Sequence, residues 1–189
     1  MLKITGGELR GRRFQTPKGR ATRPTSEKVR EAIFNTLQGM VTLKGALVLD
    51  LYAGSGALGI EALSRGAAHV TFVESHARTA QGIRDNLKQL GLPEARWSVA
   101  ATNAEGWLTA TDLWESPLLI LADPPYASGD AEQLLATLAA ASNLSGDSTI
   151  VLEAASRLPL EAPPGLELLR VKRYGDTQVM YLTNAGTAP

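Results

Sequence analysis

Four consecutive residues, Asp123, Pro124, Pro125 and Tyr126, follow a short apolar run and combine groups that suit amine chemistry. An aromatic exocyclic amine is a poor nucleophile because its lone pair is delocalised into the ring. A carboxylate and a backbone carbonyl that accept its two N–H bonds would localise this lone pair and aim it at a methyl sulfonium. Proline fixes φ and lacks a backbone donor, so the Pro124 carbonyl can be held toward a substrate. Tyr126 can stack on a base, a contact of about 1–3 kcal/mol.

This motif predicts methyl transfer to a planar amine, with Asp123, Pro124 and Tyr126 as the catalytic residues. No strong base is required, since the nitrogen becomes acidic once it carries the methyl group. The alternative is purely structural: the prolines would make a rigid turn after a strand, and Asp123 would cap the next helix.

A second candidate site is the glycine-rich segment DLYAGSGALG, which runs from Asp50 to Gly59. Glycines at a strand-to-helix turn let the backbone approach a ligand closely, and the helix N-terminus offers free N–H groups. This pattern alone fits NAD, FAD or S-adenosylmethionine, or a tight turn without a ligand. Asp50 favours S-adenosylmethionine, because a carboxylate there attracts an ammonium group but repels a pyrophosphate. Glu74 would accept hydrogen bonds from ribose hydroxyls.

Alternating strands and helices position both motifs. The candidate strands are 46–51, 69–73, 96–100, 117–122 and 148–153, with helices near 56–65, 76–90, 103–110 and 130–142. Nearly continuous apolar strands that alternate with amphipathic helices predict a parallel sheet covered on both faces. Strands 166–173 and 178–183, joined by a turn at 174–177, predict a terminal antiparallel hairpin instead.

The first 40 residues predict a separate extension with a hairpin, a loop and a helix. Short extended pieces at 2–5 and 12–16 flank glycine turns, and 17–24 has loop composition. Thr25 is the predicted N-cap of a helix whose apolar stripe is Val29, Ile33 and Leu37. Lys28 and Arg30 are expected to face solvent. The predicted division is therefore 1–40 as a basic extension and 41–189 as the main domain.

Charge is distributed unevenly along the 189 residues, although the formal net charge is zero. Residues 1–30 contain nine Lys/Arg and two Asp/Glu, a net charge of +7, and residues 31–189 carry −7. This asymmetry predicts an anionic partner at the N-terminal end, with nucleic acid as the first candidate and a solvated basic arm as the alternative. The predicted nucleic-acid contacts are Arg10, Arg12, Arg13, Lys18, Arg20, Arg23 and Arg30.

Composition excludes several classes of site. The chain has no cysteine, which excludes disulfides, thiolate-bound zinc, Fe–S clusters and thiol nucleophiles. With two histidines, a histidine-rich metal site is not expected. No apolar run reaches about 18 residues and the N-terminus lacks a signal-peptide pattern, so a cytoplasmic protein is expected.

Four segments together resemble one family. ITGGELRGRRFQTPKG, TRPTSEKVREAIFNTL, DLYAGSGALGIEALSRGA and KRYGDTQVMYL, with the motif DPPY, are similar to the bacterial 16S ribosomal RNA guanine-N2 methyltransferases. The resemblance implies a Rossmann-like class I methyltransferase fold with a mostly parallel seven-stranded sheet. It also implies S-adenosylmethionine as the cofactor and ribosomal RNA, within a small-subunit assembly particle, as the partner.

The resemblance assigns roles to matching positions. Asp123, Pro124 and Tyr126 would form the pocket for the target amine. The implied cofactor-binding residues are Asp50, Tyr52, Gly54 and Gly56 around the methionine part, Glu74 at the ribose, Asn103 and Ala104 at the adenine, and Thr25, which with Arg23 and Pro24 would close over the site. Many related methyltransferases have an aspartate where this chain has Asn103.

The predicted function is methyl transfer from S-adenosylmethionine to N2 of a guanine in small-subunit ribosomal RNA. The DPPY motif alone equally fits methylation of adenine N6 or of a protein glutamine. Competitors from other classes are a nicotinamide-dependent oxidoreductase and a non-catalytic RNA-binding factor.

Overall fold

The computed structural model describes residues 1–16, 26–111, 118–125, 129–141 and 144–185. The strands are β1 (Leu2–Lys3), β2 (Arg13–Phe14), β3 (Leu47–Leu51), β4 (His69–Val73), β5 (Trp97–Ala100), β6 (Leu118–Ala122), β7 (Thr149–Ala155), β8 (Leu166–Tyr174) and β9 (Thr177–Asn184). The α-helices are α1 (Glu27–Leu37), α2 (Ala57–Ser64), α3 (Ala77–Gln89), α4 (Ala104–Ala110) and α5 (Asp130–Ala140). None of the helices in these described ranges is long and apolar enough to cross a membrane.

Seven strands form one sheet in the order β5-β4-β3-β6-β7-β9-β8. The first five are parallel, β9 lies antiparallel to β7, and β8 lies antiparallel to β9. The predicted α/β fold, a mostly parallel seven-stranded sheet with a C-terminal antiparallel hairpin, is therefore confirmed. The strand order reverses between β3 and β6, and such switch points are where open α/β sheets bind ligands.

Apolar side chains fill the layers on both faces of the sheet. On one face, α1, α2 and α3 cover a cluster that includes Phe34, Leu63 and Leu87. On the other face, α4 and α5 contribute Leu108 and Leu134 to a second cluster. Alternate residues of the central strands supply the two clusters, which explains why these strands are apolar at nearly every position.

The N-terminal hairpin and α1 are part of the first cluster. Ile4 and Phe14 are almost completely buried there, together with Ile33 and Phe34 of α1. The predicted hairpin is present, although each strand has only two residues. The described part of the extension therefore shares its core with the main domain, and its role in RNA contact stays a prediction.

The start of α1 differs from the prediction by one residue. Its N-cap is Ser26, whose hydroxyl oxygen accepts a hydrogen bond from the backbone N–H of Val29 at 3.2 Å. The prediction of Thr25 as the cap was wrong because serine satisfies the same free N–H one position later. Thr25 itself lies outside the described residues.

Candidate active site at the carboxyl edge of the sheet

The predicted site residues meet at one edge of the sheet. Leu51, at the end of β3, is in register with Val73 on one side and with Ala122 on the other. The residues that follow these three positions are Tyr52, Glu74 and Asp123, and β5 ends beside them. The sequence motif at 50–59 and residues 123–125 of the second motif thus converge because their strands are parallel neighbours.

The glycine turn between β3 and α2 has a left-handed backbone at three positions. Tyr52 has φ +55°, Gly54 has φ +54° and Gly56, the N-cap of α2, has φ +78°. No side chain caps α2. A Cβ at Gly54 would meet only the Tyr52 carbonyl oxygen, at 3.8 Å, so Gly54 presents an open surface. This combination of open backbone and uncapped helix N-terminus fits a polar ligand.

Gly59 serves the packing of the turn. A Cβ there would lie 2.3 Å from the Phe72 ring and 2.9 Å from Asp50 Oδ2. Its backbone N–H donates to the same oxygen at 2.8 Å. The third glycine of the motif therefore lets α2 approach β3 and β4 closely.

Asp50 lies beneath the turn. Its side chain is 1% exposed, and burial raises its pKa to about 8, an effect that the hydrogen bond from Gly59 opposes. The structure therefore gives Asp50 a supporting position, with its carboxylate directed to the backbone of α2. The predicted direct contact with an ammonium group does not agree with this burial.

Glu74 joins the end of β4 to the turn. Its Oε2 accepts a hydrogen bond from Gly54 N at 2.9 Å, and its Oε1 accepts one from His76 N at 2.8 Å. The ring of His76 lies 3.3 Å from the same Oε1. A carboxylate can accept about four hydrogen bonds. Glu74 therefore holds the turn and can still accept a hydrogen bond from a ribose hydroxyl.

Tyr52 is attached to α4 on the far side of the turn. Its hydroxyl donates to Glu105, and burial together with this contact raises the pKa of Tyr52 above its ordinary value. Asn103 caps α4, since its Oδ1 accepts from Gly106 N at 2.6 Å. The Asn103 side chain thus already serves the start of α4, and Ala104, the other predicted adenine contact, is buried.

Asp123 and the prolines extend the β6 edge beside the turn. Asp123 is half-buried, Pro124 is buried and Pro125 is exposed. Asp123 interacts within the protein. The predicted catalytic Tyr126 lies outside the described residues, and so do Lys18, Arg20, Arg23 and Pro24.

A family model described as Conserved hypothetical protein 95 matches residues 2–183. The YlbH protein of Bacillus subtilis (strain 168) is 36% identical over 187 residues, which are 98% of this chain and 100% of YlbH. The ribosomal RNA small subunit methyltransferase D of Escherichia coli (strain K12) is 36% identical over 152 residues, 80% of this chain and 74% of that enzyme. The chain belongs to the family that the Conserved hypothetical protein 95 model describes. The chain is also similar to the structure of the yhhF protein from Escherichia coli, with a TM-score of 0.79, 31% identity and 97% of both chains covered.

Family membership confirms the resemblance predicted from the four sequence segments and from DPPY. It leaves the roles of individual residues as predictions, and the structure gives Arg30 and Arg12 of the basic extension structural roles.

Among the described residues there is no group of three or more His, Cys, Asp or Glu side chains arranged to hold a metal ion.

Arg30 does not face solvent as predicted. Its side chain is completely buried, its Nε lies 3.3 Å from Glu61 Oε2, and Nη2 donates to the Lys3 carbonyl. The prediction of an RNA contact was wrong because Arg30 shares a helix face with Ile33, Phe34 and Leu37, at the spacing of a buried stripe. Arginine tolerates this position because an acid of α2 compensates its charge.

Glu61 is a buried residue near the glycine turn that the sequence reasoning missed. It is completely buried in α2 and accepts hydrogen bonds from the Thr5 backbone and hydroxyl, from Gly6 N and from Arg65 Nε. These contacts attach the N-terminal hairpin to the helix that begins at the glycine turn. The signal was available: Glu61 is the single acid in the otherwise apolar stretch ALGIEALS.

The other described arginines of the extension divide into two groups. Arg12 donates to the carbonyls of Leu90 and Gln89 at 2.7 and 3.2 Å, so it caps the C-terminus of α3. Arg10 and Arg13 are exposed and remain candidates for RNA contact. The structure thus assigns part of the predicted RNA-binding charge to holding the fold together.

Proposed function

We propose that this protein transfers the methyl group of S-adenosylmethionine to N2 of a guanine in small-subunit ribosomal RNA. One observation carries the proposal: Asp123 and Pro124 extend β6 directly beside the glycine turn that follows β3, with Leu51 and Ala122 in register. A methyl donor held at the turn and an amine held at Asp123 would therefore be neighbours. The family relatives support the substrate class, since one of them is named as a ribosomal RNA small subunit methyltransferase.

The chemistry of the residues at the turn fits the cofactor. S-adenosylmethionine supplies, when bound, a methyl group on a positively charged sulfur. The open backbone at Gly54 and the uncapped N-terminus of α2 suit its carboxylate, and Glu74 has remaining acceptor capacity for ribose hydroxyls. The Glu74 carboxylate beside the turn also complements a cation.

The target amine is prepared by Asp123 and Pro124. The Asp123 carboxylate and the Pro124 carbonyl accept its two N–H bonds and direct the nitrogen lone pair outward, and Tyr126 stacks on the ring. With the amine so held, methyl transfer would form the N–C bond as the bond between the methyl carbon and the sulfur breaks, and the amine proton would then leave to water. A stacked base must first leave its stack, which costs a few kcal/mol.

The basic extension 1–40 is proposed to hold RNA phosphates. Arg10 and Arg13 lie exposed around the hairpin that packs on α2, so bound RNA would lie on the helix that begins at the cofactor turn. Binding should then weaken steeply with salt.

The test is labelled methyl transfer to ribosomal RNA from a strain lacking the gene, both naked and assembled in particles. Digestion and mass spectrometry should place the label in N2-methylguanosine. Label in N6-methyladenosine or in protein glutamine would contradict guanine N2 as the methylated group and identify adenine or glutamine as the substrate instead. A nicotinamide-dependent reaction is tested by calorimetric titration with NAD and with S-adenosylmethionine.

Asp123→Asn should lower the rate at least about 100-fold, as loss of one polar transition-state contact does. Its affinity for S-adenosylmethionine should change far less, because Asp123 is assigned to the amine and not to the cofactor. Asp147→Asn, in an exposed turn, is the matched control. An active Asp123→Asn variant would contradict the amine pocket.

A further inference from the structure

Glu153, on β7, is a buried acid beside the proposed amine pocket. Its side chain is 3% exposed, and it interacts within the protein. Leu152 is in register with Ala122, so Glu153 of β7 lies beside Asp123, the residue that directly follows β6. Neighbouring strands lie about 4.8 Å apart, which puts two acids at this edge within reach of one planar base.

Both acids also belong to the same face of the sheet. Side chains alternate along a strand, and Leu121 and Val151, two residues earlier, are both in the cluster that α1, α2 and α3 cover. By the same alternation, Asp50 and Glu74 belong to this face, two residues after Val48 and Phe72. Glu153 therefore lies on the cofactor-turn face of the sheet, one strand beyond Asp123.

A second carboxylate beside the amine pocket can distinguish guanine from adenine, because the two purines differ in the hydrogen-bonding groups next to their amines. Guanine presents two adjacent donors, N1–H and the N2 amine. Adenine presents its N6 amine beside N1, which is an acceptor, and a glutamine amide presents its amine beside a carbonyl oxygen. A carboxylate next to the amine pocket accepts a charge-assisted hydrogen bond from N1–H of guanine but meets a lone pair on the other two substrates.

We infer that Glu153 is a specificity-determining residue that accepts the N1–H of the target guanine while Asp123 accepts its N2 amine. The inference rests on the proposed function and deepens it, because the DPPY motif does not by itself distinguish guanine from adenine. It also gives a use to a buried acid within β7, a strand whose residues are all buried.

The test compares two small-subunit RNAs built by ligation around a synthetic segment, one with guanine at the mapped target and one with 2-aminopurine. Both bases carry the 2-amine, but N1 of 2-aminopurine has no hydrogen. Because 2-aminopurine also lacks O6, the informative quantity is how Glu153→Gln changes the ratio of kcat/KM for the two RNAs. The glutamine amide can donate to N1 of 2-aminopurine.

Glu153→Gln should lower the guanine to 2-aminopurine ratio about 10- to 100-fold, the range of a hydrogen bond to a charged group. Glu132→Gln, which removes an exposed acid of α5, should leave the ratio unchanged. Melting temperature and affinity for S-adenosylmethionine are measured on each variant.

An equal loss on both RNAs would assign Glu153 to holding the fold or the basic extension, and would overturn the inference. An unchanged ratio with full activity would overturn it as well. If the unmodified protein methylates neither RNA while particles from the deletion strain also stay unlabelled, the proposed function fails first, and the inference with it.

Discussion

The contact between Glu61 and the N-terminal segment predicts a large loss of stability on Glu61→Gln. The substitution keeps the side-chain volume but removes the charge that compensates buried Arg30. It also replaces one acceptor oxygen by a donor. If that oxygen is Oε2, the Thr5 N–H at 2.9 Å and the Arg30 Nε–H at 3.3 Å both lose their acceptor.

The size of this effect follows from two overlapping estimates. Two buried donors left without an acceptor cost about 1–3 kcal/mol each. Breaking a buried ion pair by removing one partner costs about 3–5 kcal/mol. Because the estimates describe the same contacts, they are not added, and the expected change in the free energy of unfolding is about 3–5 kcal/mol.

Urea unfolding at pH 7 measures this change, with Glu31→Gln on the exposed face of α1 as the control, expected within about 0.5 kcal/mol of the unsubstituted protein. Burial raises the pKa of Glu61, but hydrogen bonds from Thr5 and Arg65 outweigh it, so its pKa lies below the ordinary value. The stabilisation is therefore present above the ordinary pKa and is lost as pH falls through the lower folded value. The difference between the two proteins should shrink below about pH 4.

A Glu61→Gln protein that unfolds within 1 kcal/mol of the parent at pH 7 would refute the reasoning, at the magnitude of an ordinary surface change. A difference that stays constant down to pH 2 would show that charge compensation of Arg30 is not its source.

Three further predictions concern the turn and the extension. Gly59→Ala should lower thermal stability and affinity for S-adenosylmethionine, because its Cβ would lie 2.3 Å from a carbon of the Phe72 ring. The control is Gly82→Ala in α3, which has open space around it and should stabilise the protein by about 1 kcal/mol. Equal melting temperatures of the two variants would contradict this prediction. Since burial raises the pKa of Asp50 to about 8, the folded state holds its proton more strongly, and stability should fall as pH rises from about 4 to 8. Asp50→Asn should flatten that part of the stability curve in denaturant titrations, and an unchanged slope would refute the assignment. Arg10→Gln with Arg13→Gln should lower the salt dependence of RNA binding by about 0.7 in log–log slope per lost contact, without changing cofactor affinity; an unaltered slope would remove both residues from the RNA surface.

The sheet could be predicted from the sequence because its strands are apolar at almost every position. Runs such as LVLDL and LLILA fit strands buried on both faces, and the helices between them fix parallel neighbours. The convergence of Asp50, Glu74 and Asp123 at one edge follows from that topology alone. Family membership followed from motifs spread over the whole chain.

The side-chain roles were less predictable because they depend on which residues contact each side chain in the folded protein. Asp50 has the position of a ligand contact in the sequence, yet it is buried and one of its oxygens accepts a hydrogen bond from Gly59 of the following helix. Arg30 has the composition of an RNA contact, yet its partner Glu61 is 31 residues away. A partner distant in sequence cannot be read from local spacing, and charge counts do not distinguish a buried pair from a solvated one.

Strand β9 has a consequence for how the protein is made. It is later in the chain than the other described strands, yet it lies between β7 and β8, and residues Thr177–Tyr181 are buried. Until residues 177–184 have left the ribosome, β7 keeps an open edge and β8 has no neighbour in the sheet. A nascent chain that stops before β9 therefore exposes unpaired strand edges, which invite aggregation. The sheet is therefore completed only when the last of the described strands becomes available, after its parallel part has been synthesised.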